Sequence, residues 1–87
     1  MINQKIMINN PSGLHLRPAG NLCNEAMKYQ SAITFEYDGG TANAKSVLSV
    51  LGACIKCGDE IDLICDGADE QEAMKALTDA ISGGLGE

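Results

Sequence analysis

The apolar residues of this chain change their period across "PSGLHLRP", residues 11–18, and that change dictates what the flanking segments can become. Upstream, Ile2, Gln4, Ile6 and Ile8 fall on one side of an extended chain and Asn3, Lys5 and Met7 on the other, the alternation of a half-buried strand. Downstream, Ala19, Leu22, Cys23 and Ala26 stand at i, i+3, i+4 and i+7, one apolar stripe on a helix running to about Lys28. Between them Asn, Pro, Ser and Gly form a turn, and Pro18 is tolerated only in a first helical turn. His15, the single histidine of the sequence, therefore stands at a helix N-terminus.

The two periods alternate along the rest of the chain. "AITFEY" sets Ile33, Phe35 and Tyr37 against Thr34 and Glu36, and "DGG" turns it into the short segment "TANA". Ser46 is a good N-cap for a short helix in "SVLSVL", "CGDE" breaks the chain, and "EIDLICD" alternates Ile61, Leu63 and Cys65 with Asp62, Ile64 and Asp66. In "GADEQEAMKALTDAI" Asp69 and Glu72 form a capping-box-like start, and Ala73, Met74, Leu77, Ala80 and Ile81 give a helical stripe ending at Gly83 and Gly84. The order βαββαβα predicts an α+β class, an open-faced β-sandwich with helices packed on one face of a single sheet.

Eighty-seven residues suffice for one domain, 1–87, and not for two. With three aromatics, that domain needs a core of Ile, Leu, Val, Ala and Met. A net charge of −6 with six scattered basic residues leaves no basic patch, which argues against binding nucleic acid or anionic lipid directly. No apolar run approaches the roughly 18 residues of a membrane span, and "MINQKIMINN" lacks the features of a signal peptide, so a cytoplasmic location is expected. There the four cysteines are expected to be buried thiols. "CIKC" has the spacing of a metal or redox pair. A four-ligand site would also need Cys23 and Cys65, which lie on the core stripe and an inward strand face, so no metal or cofactor is expected.

"GLHLRPA", with "AKSVLSVL", "GDEI", "GADEQEA" and the terminal "GLGE", resembles the HPr family, the histidine-containing phosphocarriers of the bacterial phosphoenolpyruvate-dependent sugar phosphotransferase system. The resemblance covers the whole chain. His15, Arg17, Pro18 and Ala19 match the family's active-histidine motif, whereas Leu16 replaces a usual Ala or Thr. The resemblance implies a four-stranded antiparallel sheet covered on one face by three helices. It further implies a stoichiometric carrier, not an enzyme: Nδ1 of His15 takes a phosphoryl group from phospho-enzyme I and passes it to sugar-specific enzyme IIA domains.

Local chemistry agrees with that role. The amides of Leu16 and Arg17 at the helix start and the helix dipole favour a phosphoanion, and the Arg17 guanidinium suits phosphate oxygens. The plainer alternatives are a His15 that only ends a turn and an Arg17 that is a solvated charge, slightly unfavourable beside the positive helix end. Ser46 matches the serine that an ATP-dependent HPr kinase/phosphorylase modifies in Gram-positive relatives; the alternative is a simple N-cap, contributing about 1 kcal/mol.

Leu16, Gly20, Asn24 and Met27 lie within roughly 80° of one another on the first helix, away from the core stripe. Val47, Leu48, Val50 and Leu51 are more than one face of a short helix can hide. With Ser12 and the nearby cation Lys45, the residues Leu16, Gly20, Asn24, Met27, Val47, Leu48 and Leu51 make up the expected partner surface. Two rival functions are a regulatory HPr-like protein acting through phospho-Ser46 on a transcription factor such as catabolite control protein A, and a cysteine-based metal or redox domain. Relatives specialised for regulation lack the active histidine, so His15 argues against regulation alone.

Overall fold

In the computed structural model, which describes residues 1–86, strands and helices follow the expected order. They are β1 (Ile2–Met7), α1 (Leu16–Ala26), β2 (Ala32–Tyr37), β3 (Gly40–Asn43), α2 (Val47–Gly52), β4 (Glu60–Asp66) and α3 (Glu70–Ser82). The four strands form one antiparallel sheet in the order β1-β4-β2-β3. Glu87 of the "GLGE" match lies outside the described residues.

Register explains which face is covered. Ile2 and Ile33 both flank Cys65, Phe35 flanks Leu63, and Ile6 flanks Ile61, so their side chains project to the same side of the sheet. Ile33, Phe35, Ile61, Leu63 and Cys65 are all buried there against Leu22, Ala26, Leu77 and Ile81 of the helices. The opposite face carries Asn3, Lys5, Glu36 and Asp62, with Asn3 donating to the Asp62 carboxylate at 3.1 Å. α1 packs on α2 and α3, α3 covers β1 and β4, and α2 lies over β3, which is the open-faced α+β sandwich. No helix among the described residues is long and apolar enough to cross a membrane.

Helix ends follow local chemistry, with two departures from expectation. α1 stops at Ala26, short of Lys28, because the next amides bond three residues back, Lys28 N–H to Glu25 O and Tyr29 N–H to Ala26 O. α3 closes as expected at Gly83 and Gly84: with Gly84 at φ +88, the Gly84 and Leu85 amides return to the carbonyls of Ile81 and Ala80. The capping box at its start is absent. Asp69 makes no side-chain cap; its carboxylate instead accepts from the backbone amides of Gln30 at 2.8 Å and Ser31 at 2.9 Å and from the Ser31 hydroxyl. These bonds tie the segment after α1 to the start of α3 and hold the Asp69 carboxyl down to about 2.

The cysteines divide. Cys23 and Cys65 are buried as expected, and desolvation raises the Cys65 pKa. Cys54 and Cys57 are exposed, which corrects the expectation of four buried thiols. Both lie in the connection between α2 and β4, where Ala53 and Ile55 take the inward positions and leave their neighbours in solvent.

Candidate functional site

The loop that delivers His15 is fastened along its length. The Gly58 amide bonds Ile8 O at 2.7 Å, Gly13 N–H closes a turn on Asn10 O, and Leu14 N–H bonds Ile55 O at 3.0 Å. Gly13 is required here. It sits at φ +68, and a Cβ would lie 2.3 Å from the Ile55 carbonyl oxygen, closer than any real contact. Leu14 is buried, so the next residue, His15, is presented outward from an anchored backbone.

His15 is the N-cap of α1, with extended backbone and no side-chain capping bond, so its imidazole is exposed and not engaged by the helix. Leu16 and Arg17 supply the first two helical amides, which have no carbonyl one turn back to bond, and Pro18 has no amide to give. No acidic residue stands in this first turn, unlike α3, whose first turn holds Glu70 and Glu72. The positive end of the α1 dipole therefore meets no carboxylate of its own helix, and Arg17, exposed beside it, adds a second positive element. Such an arrangement suits an anion bonded to the imidazole.

The expected partner residues are brought together in part. Leu16 is 70% and Leu48 82% exposed, large apolar side chains left in solvent on two helices that pack together. Val47 and Leu51 are half-buried and Val50 fully buried, so α2 hides one face and offers the other. Ser12 and Asn24 are exposed and Gly20 is half-buried. Met27, also exposed, lies eleven residues beyond Leu16, about 16 Å further along the axis at 1.5 Å per residue. Lys45 does not act as a free cation: half-buried, it donates its ammonium to Tyr29 O at 2.7 Å. Ser46 caps α2 as expected, its hydroxyl accepting from Ser49 N–H at 3.3 Å.

Sequence reasoning missed Lys56. A shallow cavity of about 230 Å³ beside His15 is lined by Leu14, Leu51, Cys54, Ile55 and Lys56 as well as His15 itself. The neighbours Cys54 and Lys56 reach the site through the Leu14–Ile55 hydrogen bond, a pairing between distant segments that no periodicity announces. Among the described residues, no group of three or more His, Cys, Asp or Glu is arranged to hold a metal ion.

Comparison with known proteins places this geometry. A family model described as the PTS HPr component phosphorylation site matches residues 2–82. The chain is 38% identical over 77 residues to the HPr-like protein Crh of Bacillus subtilis (strain 168), covering 88% of this chain and 91% of that one. It is 38% identical over 87 residues to the phosphocarrier protein HPr of Neisseria meningitidis (strain Z2491), covering 100% of this chain and 98% of the relative. The crystal structure of HPr-C-His from Thermoanaerobacter tengcongensis superposes with a TM-score of 0.95 at 39% identity, over 100% of this chain and 98% of that one.

Proposed function

Because this chain belongs to the HPr family of phosphotransferase-system phosphocarriers, we propose that it acts as one domain that accepts a phosphoryl group on His15 from phospho-enzyme I and donates it to sugar-specific enzyme IIA domains. The observation that carries this reading is the disposition of His15: an exposed N-cap whose side chain makes no capping bond, at a helix start with two open amides, a neighbouring Arg17 and no carboxylate in its first turn. In the transfer, a lone pair of the imidazole forms the N–P bond as the donor's bond to phosphorus breaks and its electron pair leaves with the donor. The helix amides and Arg17 stabilise the charge on the equatorial oxygens. Passing the group on runs the same exchange with the imidazole as leaving group. The protein turns over nothing alone; it is a stoichiometric carrier.

A second role through Ser46 is favoured by the similarity to Crh and by the place of Ser46 at the N-cap of α2. A phosphate there would sit on the positive end of a helix, replace the Ser49 bond, and add about −1.5 to −2 charge beside the exposed Leu48. HPr kinase/phosphorylase would be the modifying partner and catabolite control protein A the reader. His15 makes this an added role rather than the sole one.

Reconstitution with phosphoenolpyruvate, enzyme I and an enzyme IIA domain tests the carrier role. Phosphate should reach the IIA domain through this protein, stop with His15→Ala, and continue with Ser46→Ala. Loss of relay with Ser46→Ala and not with His15→Ala would reverse the assignment.

A further inference from the structure

Building on the carrier reading, we propose that Lys56 is a second phosphate-binding cation of the His15 site, meeting a phosphoryl group on the imidazole from the 54–56 segment while Arg17 and the helix amides meet it from α1. Lys56 and His15 line the same cavity. Their relative position is fixed by backbone contacts rather than by flexible side chains. Leu14 N–H bonds Ile55 O at 3.0 Å, a Cβ on Gly13 would come within 2.8 Å of the Lys56 Cα, and the Lys56 amide bonds Asp59 Oδ2 at 2.9 Å. The segment that ends in His15 and the residue that carries the ammonium are thus held edge to edge.

Charge bookkeeping points the same way. Of the six basic side chains, Lys28 pairs with Glu25, Lys75 with Asp79, and Lys45 is taken by Tyr29 O. Among the described residues Lys5, Arg17 and Lys56 form no ion pair within 4.0 Å; Lys5 lies on the open face of the sheet, whereas Arg17 follows His15 by two residues and Lys56 lines its cavity. In a chain of net charge −6, a phosphoryl dianion on His15 is repelled by the protein as a whole, so unpaired cations beside it have the largest effect. A lysine on a flexible stem, with three rotatable donors, can reach an oxygen from across a shallow cavity.

His15 is the only histidine, so potassium phosphoramidate labels it without any partner protein, and 31P NMR of the labelled protein reads the second ionisation of the phosphoryl group. A cation favours the dianion. Lys56→Gln should therefore raise that ionisation by about half a pH unit, and Lys56→Arg should restore it to within a small fraction of the wild-type value. An unchanged titration in Lys56→Gln overturns the proposal. So does an unchanged titration combined with a raised KM for phospho-enzyme I, which would assign Lys56 to the partner. Failure of the carrier reading would show separately, as an unmodified His15 in the wild-type protein after incubation with active enzyme I and phosphoenolpyruvate.

Discussion

Cys54 occupies the position just past the C-cap of α2 with φ +55, the left-handed conformation that helices usually end on with glycine. Its side chain is exposed and makes up part of the wall beside His15. Steric strain of this kind is relieved by removing the Cβ, offset by the greater freedom of glycine in the unfolded chain. Cys54→Gly is expected to stabilise the protein by about 0.5–1 kcal/mol in urea unfolding; a loss of stability would mean the thiol makes contacts that outweigh the backbone strain. The placement of His15 and Arg17 at the start of α1 was legible in the sequence because local signals converge there: turn formers before the histidine and Pro18 after it. Lys56 was not, because its place beside His15 depends on a hydrogen bond between residues 14 and 55. The "CIKC" spacing drew attention to metal chemistry, whereas in the fold Cys54 ends a helix and borders the His15 cavity.

At the scale of elements, the start of α3 shows where local patterns mislead. Asp69 and Glu72 have capping-box spacing, yet the Asp69 carboxylate faces Gln30 and Ser31, and Glu70 accepts from Gly67 N–H at 3.1 Å in its place. Backbone amides nearly forty residues away outcompeted the helix's own, a choice that only the folded chain presents. The consequence is measurable with acid. The Asp69 carboxyl titrates at about 2 in the fold against 3.8 ordinarily, so its hydrogen bonds stabilise the protein fully above the ordinary value. As the pH falls from about 3.8 toward 2, the unfolded chain takes up the proton first and that contribution is lost. Asp69→Asn should lower Tm near neutral pH and flatten the fall of Tm across that acid window. A variant with the wild-type slope would show that these bonds do not couple to folding. By contrast, the Gly83-Gly84 ending of α3 and the Ser46 cap of α2 read correctly, since each is satisfied within one turn.

Across the whole molecule, the alternation of two periods was enough to give the element order and the covered face. The strand order β1-β4-β2-β3 was not in the periodicity, because it depends on which strands meet across the sheet. Helices on one face bury the apolar stripes and leave Leu16 and Leu48 outside, next to His15 on α1 and on the adjoining α2. Two large apolar side chains in solvent beside a proposed transfer site are suited to docking other proteins. Leu48→Asp should leave stability within about 0.5 kcal/mol, as expected for an exposed position, and raise the KM for phospho-enzyme I about tenfold, the loss of roughly 1.4 kcal/mol of binding, with kcat little changed. An unaltered KM would remove Leu48 from the docking surface.

The central claim, that His15 carries the phosphoryl group, is tested most directly by intact mass and peptide mapping after incubation with enzyme I and phosphoenolpyruvate, comparing the protein with His15→Ala. The account predicts one acid-labile phosphoryl group per chain, mapped to the peptide holding His15 and absent from the variant. An unmodified protein, with the same enzyme I active on a control carrier, or an equal label on His15→Ala, would contradict it.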